Sequence, residues 1–171
     1  MLKTEYSQIE KIDKGCNNYK YAYETGHNKF KKIGNWIEKQ SSIFKSEATN
    51  RMYNKPNFRR GEIIRVDFGV NVGSELSNTH FAIVLNSDDN NNVDNLTVIP
   101  ITSKKGYKRL YIGNILSDFE ENKKYNEKGY ALLTQITTIS KRKIINTNLK
   151  SYCNKGIMEM ITNSIVEYFT T

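Results

Sequence analysis

Two histidines are the only side chains among the 171 residues that titrate close to neutral pH when unperturbed. One of them, His80, lies in the stretch GSELSNTHFAIVLNSDD, where a polar loop led by glycine meets five unbroken apolar residues. A histidine at such a join can take a proton from a hydroxyl group and return one to a leaving group. It can equally pack at the entry of a strand and hydrogen-bond a backbone carbonyl. The sequence thus supplies one acid–base candidate, with both interpretations open.

The charge balance favours a polyanionic partner. The net charge is +8 and the isoelectric point is near 9.3, and each phosphate neutralised by Lys or Arg releases condensed counterions. The eleven tyrosines add rings that can stack on bases. A solvated basic surface explains the same composition, so charge alone does not identify the partner.

The cysteines and the hydropathy pattern give no sign of a metal site or a membrane segment. Cys16 and Cys153 lie far apart without CxxC spacing, and Cys16 and His27 are not at the spacing of a zinc finger. No apolar run approaches the length of a membrane span, and the first residues lack the apolar core of a secretory signal. We therefore expect a cytoplasmic protein that uses no metal or other cofactor and does not contact a membrane.

The pattern of apolar residues changes near Pro56. This change predicts two domains, an N-terminal helical extension over 1–55 and a strand-rich domain over 56–171. In the first, apolar residues recur at helical spacing in NKFKKIGNWIEKQSSIFKSEA, which predicts a helix over 28–48. Residues 1–26 show no strong period and are left as short helix or irregular structure.

Residues 56–171 read as a run of strands closed by one helix. Five segments have strand character: EIIRVDF (62–68), FAIVLN (81–86), LTVIPITS (96–103), KRLYIGN (108–114) and YALLTQITTI (130–139). Pro100 predicts an edge or a bulge, because proline cannot donate to a sheet ladder. Residues 116–129 are polar and predict a loop with a helical turn. IMEMITNSIVEYF, over 157–169, predicts a terminal amphipathic helix capped by Ser151 or Asn154. Short, closely spaced strands indicate a small, curved antiparallel barrel or sheet.

Three blocks in this order resemble one known family. They are RRGEIIRVDFGVNVGSELSNTHFAIVLNSDD with LTVIPITS, then LLTQITTISKRKI, then the terminal amphipathic helix. Together they resemble the MazF/PemK family of toxin endoribonucleases from about Arg59 to the C-terminus. The resemblance implies a mainly β fold with α, the CcdB/MazF type: a small SH3-like antiparallel barrel with a C-terminal helix. It also implies a homodimer that cleaves single-stranded RNA, such as mRNA, without metal and is held inactive by a cognate antitoxin protein.

The same resemblance assigns roles to individual residues. Metal-free cleavage uses the ribose 2′-OH as nucleophile and needs a base, an acid and donors to the charged phosphate. Where the family usually has Arg followed by Pro, this chain has His80 and Phe81, which suits proton transfer better than a permanent positive charge. Thr102 matches the family threonine and is expected to stabilise the phosphate.

Further residues are expected to bind the substrate. Ser74 and Glu75 lie in the loop that covers RNA in the family, and Gln135 is retained in the third block. Thr134 and Thr137 stand where family members often carry a carboxylate and an arginine, so base specificity does not carry over. Ser103, Lys104 and Lys105 directly follow Thr102 and are expected to contact phosphate. Two other clusters, Arg59–Arg60 and Lys141–Lys143, and the pair Lys108–Arg109 add positive charge.

Three functions fit these residues. The first is a toxin endoribonuclease with His80 as acid and base and Thr102 as phosphate stabiliser. The second is a non-enzymatic toxin on the same fold that binds gyrase, as CcdB relatives do. The third is a catalytically silent RNA- or protein-binding derivative that has lost the family arginine.

Overall fold

The computed structural model describes residues 2–49, 56–87, 89–90, 92–114, 128–146 and 151–171. The chain divides into two compact units, Met1–Met52 and Tyr53–Thr171. That residues 56–171 fold independently of the extension stays a prediction. The predicted loop with a helical turn falls mostly outside the described residues, which resume at 128.

The N-terminal unit consists of two helices and a short connection. Helix α1 covers Leu2–Glu24 and helix α2 covers Ile33–Ala48, with a 3-10 turn over Asn28–Lys32 between them. The helix predicted over 28–48 is therefore correct for its α2 part, while its first five residues form the 3-10 turn. The Tyr19 and Trp36 rings meet edge to face at 5.9 Å, which joins α1 to α2. None of the described helices is long and apolar enough to cross a membrane.

The described residues of the second unit form seven antiparallel strands and a terminal helix. The strands are β1 Ile63–Asp67, β2 Thr79–Val84, β3 Asn95–Thr102, β4 Arg109–Tyr111, β5 Tyr130–Leu132, β6 Thr137–Ser140 and β7 Ile144–Asn146. Their order is β4-β5-β3-β2-β1-β7, and β6 also pairs with β3. Each of the five predicted strand segments overlaps a strand, but the segment over 130–139 is split into β5 and β6 by a 3-10 turn, Leu133–Gln135. Strand β7 was not predicted.

Alternation along the strands produces two apolar clusters on opposite faces of the sheet. One contains Ile64, Val66 and Phe68, as the alternation in EIIRVDF predicts. The other contains Ile63 and Ile83. Strand β2 contributes to both clusters, since Ala82, Ile83 and Val84 have no exposed surface, and burial on both faces accounts for the unbroken apolar run FAIVL.

The prediction that Pro100 marks an edge strand or a bulge is wrong. Strand β3 is central, with Pro100 opposite Ala82 of β2 in an uninterrupted register. On its other side β3 pairs with β6 through residues 95–98 and with β5 through residues 101–102. Pro100 thus falls in the gap where β3 changes partner, and a missing N–H there removes no bond to β5 or β6.

Helix α3 covers Lys155–Thr170 and begins at one of the two predicted caps. The Asn154 side-chain oxygen accepts a hydrogen bond from the Ile157 backbone N–H at 2.9 Å. Ile161 is fully buried against the cluster of Ile63 and Ile83. Near the end of the helix Tyr168 packs against that cluster, whereas Phe169 is exposed.

Candidate functional site

His80 is held at the start of β2 by contacts to backbone and to one aromatic ring. It lies opposite Val66 in β1 and is half-buried. Its Nε2 lies 3.1 Å from the Ser77 carbonyl oxygen, and because a carbonyl can only accept, this contact places a hydrogen on Nε2. The Phe68 ring meets the imidazole edge to face at 6.4 Å between centroids. The contact with Ser77 is expected if His80 only packs at the entry of the strand. It also fixes the orientation of the ring, as a catalytic role would need.

The environment of His80 favours its neutral form. Burial lowers the pKa of the imidazole below 6.5, and the hydrogen bonds with the Ser77 and Ile101 backbone oppose this effect without cancelling it. At neutral pH the ring is therefore uncharged and ready to accept a proton. Once it is protonated, the same backbone contacts stabilise the imidazolium.

The pairing of β2 with β3 brings His80 close to Thr102. Phe81 is opposite Ile101, and Ala82 is opposite Pro100. His80 precedes Phe81 and Thr102 follows Ile101, so the two residues flank the last pair of this ladder on adjacent strands. Alternation from the pair Ala82–Pro100 puts both on the same face of the sheet. Two residues that are far apart in the sequence thus lie near each other at the ends of adjacent strands.

The Thr102 hydroxyl caps the turn that follows β3. Its Oγ1 accepts a hydrogen bond from the Lys104 backbone N–H at 3.3 Å. Because a hydroxyl can accept and donate at once, its hydrogen stays available for a phosphate oxygen. Thr102 is half-buried, whereas the three residues after it, Ser103, Lys104 and Lys105, are exposed.

The loop over residues 69–78, here called the GSE loop, is ordered by its own hydrogen bonds. Its Asn71 side chain donates to the backbone oxygens of Phe68 and Leu76 at 3.0 and 2.7 Å. Gly73 has a φ of +58°, the left-handed region that favours glycine. Ser74 and Glu75, which follow it, are exposed.

Gln135, in the 3-10 turn between β5 and β6, is hydrogen-bonded to the GSE loop. Its Oε1 accepts a hydrogen bond from the Leu76 backbone N–H at 3.2 Å. This bond places Gln135 to position the loop, a role in addition to the substrate binding that the resemblance implies. Its NH₂ group remains the part that can face a substrate.

A polar groove of about 370 Å³ lies between the GSE loop and β6. Its lining contains two of the predicted substrate-binding residues, Glu75 and Gln135, together with Thr137 and Lys143. His80 and Thr102 are not among its lining residues. Phe68 connects the two places, because its side chain lines the groove and its ring contacts His80.

One member of the predicted cationic clusters is not available to a ligand. Lys141 has no exposed surface, and its Nζ lies 2.7 Å from Asp89 Oδ1, which is equally buried. Lys141 lies two residues after the buried Ile139, so alternation along the chain places both side chains on the same side. This pattern is present in the sequence, but the run of cations over 141–143 suggested an exposed cluster. Arg109, by contrast, donates from Nη1 to the Lys104 carbonyl at 2.8 Å and so holds its guanidinium against the exposed turn after Thr102.

Metal ligands are not grouped in the described part of the chain, where no three His, Cys, Asp or Glu side chains converge. Burial raises the pKa of the Cys153 thiol to about 12. It is therefore protonated at neutral pH, while metal binding requires the thiolate.

Comparison with known proteins identifies the family. Residues 59–169 match the model for the PemK-like, MazF-like toxin of type II toxin-antitoxin systems. The chain belongs to this toxin family. No curated protein sequence matches it significantly.

One solved structure supports the fold of this PemK/MazF-family toxin. A crystal structure of MazF from Deinococcus radiodurans aligns with a TM-score of 0.52 at 16% identity, covering 68% of this chain and 99% of that one. The CcdB/MazF-type fold expected from the sequence is thus confirmed. An endoribonuclease in complex with its cognate antitoxin from a mycobacterial species aligns at 0.48 and 12% identity, over 66% and 94% of the two chains. A MazE–MazF structure from D. radiodurans aligns at 0.48 and 15% identity, over 68% and 98%.

Proposed function

We propose that this PemK/MazF-family toxin is an endoribonuclease that cleaves single-stranded RNA without a metal ion. The observation that supports the proposal most strongly is the β2–β3 register, which pairs Phe81 with Ile101 and so brings the strand positions of their neighbours His80 and Thr102 together. One group can move a proton and the other can donate to a phosphate oxygen. These are two of the functions that transesterification of RNA requires.

In the proposed reaction the ribose 2′-OH attacks the adjacent phosphorus, and the bond from phosphorus to the 5′-oxygen breaks. Neutral His80 takes the 2′-OH proton, and the imidazolium that results can give a proton to the departing 5′-oxygen. The products are a 2′,3′-cyclic phosphate and a 5′-hydroxyl, so no residue of the protein becomes covalently attached. Thr102 donates its hydroxyl hydrogen to a non-bridging oxygen, where negative charge increases in the transition state.

Permanent positive charge must come from a residue other than His80. Arg109 is the best placed of the described cations, because its bond to the Lys104 carbonyl fixes it near the end of the Thr102 strand. Lys104 and Lys105 on the same turn are exposed and add to the local positive potential. Glu75, Gln135 and Lys143 in the groove beside the GSE loop extend the proposed RNA-contacting surface, with Ser74 and Ser103 at its margins.

Cleavage of a mixed-sequence RNA in the presence of EDTA tests this proposal against its alternatives. We expect defined fragments from the purified protein with metal removed. RNA binding without cleavage would favour the silent RNA-binding derivative. Inhibition of gyrase without RNA cleavage would favour the non-enzymatic toxin.

The rate of cleavage should depend on pH in a direction set by burial of His80. Its pKa lies below 6.5, so the neutral base predominates at and above that pH, and kcat/KM should begin to fall only as the pH decreases below it. Folding stability should fall in the same direction, because below 6.5 the unfolded chain binds a proton that the folded state takes up only at lower pH. Measured pH–rate and pH–stability profiles check both statements. A midpoint of the acid limb above 6.5 would contradict the assignment.

Replacing Thr102 with valine should lower kcat by about 10²–10³-fold while changing KM little, because the lost donor acts in the transition state. Thr102→Ser keeps the hydroxyl and should retain most of the activity. Any residue without a hydroxyl at this position loses the hydrogen bond from the Lys104 backbone N–H. Melting curves of both variants therefore show whether the turn still folds. Equal activity of the valine and serine variants would remove Thr102 from the chemistry.

The partners proposed for this toxin follow its family. We propose a cognate antitoxin as its inhibitor, in line with the antitoxin complexes named for the mycobacterial and D. radiodurans proteins. We also propose a homodimer that acts on mRNA in the cytoplasm. Co-expression with the neighbouring small acidic protein, if one is encoded beside it, and light scattering of the purified toxin test these two proposals.

A further inference from the structure

Two tyrosines continue the row of the sheet that contains His80 and Thr102. Thr102 is opposite Tyr130 in β5, and Tyr130 is opposite Tyr111 in β4. Paired residues in an antiparallel sheet share a face, so the side chains of all four positions line one face of the sheet. The two tyrosine rings confirm this for the outer pair, with centroids 5.4 Å apart and planes inclined by 50°.

Tyr111 is the most exposed member of this row. Its strand lies at one end of the strand order, and 48% of its surface is exposed, compared with 9% for Tyr130. The Tyr130 ring supports Tyr111 from one side. The Tyr111 hydroxyl donates to Asn114 Oδ1 at 3.3 Å. The ring is therefore held in a defined orientation, which lowers the entropy that a stacked base would cost.

The distance between Tyr111 and the proposed reacting groups suits a neighbouring base. Strands in a sheet are about 4.8 Å apart, so two strand spacings put the Tyr111 backbone about 10 Å from that of Thr102. That is the range in which the nucleotide next to a cleaved linkage, or the one beyond it, places its base. Arg109 occupies the same face, two residues before Tyr111 in β4, and supplies a cation for the phosphate between them.

We propose that Tyr111 is a base-stacking residue, on which the base flanking the cleaved linkage packs while Arg109 contacts the intervening phosphate. This proposal rests on the proposed function for the identity of the ligand. Stacking on an aromatic face accepts any base, so Tyr111 is expected to contribute affinity and position for single-stranded RNA more than sequence preference.

The test uses full-length protein and a short random-sequence single-stranded RNA with 2′-O-methyl groups, which cannot be cleaved by 2′-OH attack. Tyr111→Ala should raise Kd about tenfold, while Tyr111→Phe should stay within about twofold of the wild type, because the ring and not the hydroxyl stacks. An abasic chain of the same length should bind the wild type and Tyr111→Ala equally. Fluorescence anisotropy measures all three.

Tyr152→Ala is the matched control, because Tyr152 is 50% exposed but lies outside the row, opposite Glu62. Its Kd should be unchanged. An unchanged Kd for Tyr111→Ala, or equal losses on the normal and abasic chains, would overturn the stacking role. Cleavage of unmodified RNA is followed in parallel. Wild-type binding that depends on Tyr111 without any cleavage would refute the proposed function and retain the stacking site, whereas cleavage with binding that is independent of Tyr111 would refute stacking alone.

Discussion

Replacing Lys141 with methionine is expected to lower the free energy of unfolding by about 3–5 kcal/mol, because it leaves a buried carboxylate without its counter-ion. The side chains of Lys141 and Asp89 are both fully buried, with Nζ 2.7 Å from Oδ1. Nζ also donates to the Asn90 carbonyl at 3.0 Å, and Asp89 Oδ2 accepts from the Phe58 backbone N–H at 2.8 Å. The pair thus ties three separate segments of the second unit together. Urea denaturation of both proteins gives the difference directly.

Two further variants separate the buried charge from lost packing. The double variant Lys141→Met with Asp89→Asn should recover much of the loss, because it removes the unpaired charge and keeps an acceptor for the Phe58 N–H. Lys155→Met breaks an exposed pair with Glu159, at 3.8 Å, and should change stability little. A loss for Lys141→Met no larger than that for Lys155→Met would show that the pair contributes nothing particular to the fold.

Replacing His80 with alanine is expected to lower kcat for RNA cleavage by about 10²–10⁴-fold, the range that a positioned acid–base group contributes. The reason is the combination of a half-buried neutral imidazole, a fixed orientation set by the Ser77 carbonyl, and the neighbouring Thr102. Single-turnover cleavage at saturating protein measures the chemical step without the contribution of binding.

His80→Gln and His80→Arg sharpen this result. Glutamine can still hydrogen-bond the Ser77 carbonyl but cannot transfer a proton, so it should be as inactive as alanine while unfolding at a temperature closer to that of the wild type. Arginine restores the residue that the family usually has at this position. It should recover part of the activity and remove the acid limb from the pH–rate profile, because arginine stays charged throughout. Near-full activity of a folded His80→Ala protein would exclude the imidazole from the mechanism.

Local patterns in the sequence were sufficient where one physical effect dominated. The alternation of EIIRVDF and the unbroken apolar run of FAIVLN identify β1 and β2, because burial on one face or on both leaves a direct trace in the residue types. Asn154 was found as a cap because its side chain suits the first turn of a helix. Helix α1 was not found, because residues such as Ile9 and Ile12 are exposed in it and no buried face imposes a period on its sequence.

Features that depend on tertiary pairing could not be obtained from local pattern. A proline in a strand suggests an edge in any sequence. Pro100 is tolerated in the central strand β3 because it lies where the pairing partner of β3 changes from β6 to β5. The neighbourhood of His80 and Thr102 follows from strand register, which the spacing of the two blocks does not specify. Tyr111 went unnoticed for the same reason, since its relation to Thr102 passes through Tyr130. Gln135 was identified by its position in the third block, but its hydrogen bond to the GSE loop depends on the tertiary fold and could not be predicted from the sequence.

The most direct test of the central claim is the chemistry of the ends that cleavage leaves, determined in EDTA on an oligoribonucleotide containing the preferred site. The reaction described above predicts a 2′,3′-cyclic phosphate on one fragment and a 5′-hydroxyl on the other, and no cleavage when the nucleotide before the cut carries a 2′-hydrogen. Fragments with a 3′-hydroxyl and a 5′-phosphate, or undiminished cleavage of the 2′-deoxy substrate, would show that the ribose hydroxyl is not the nucleophile.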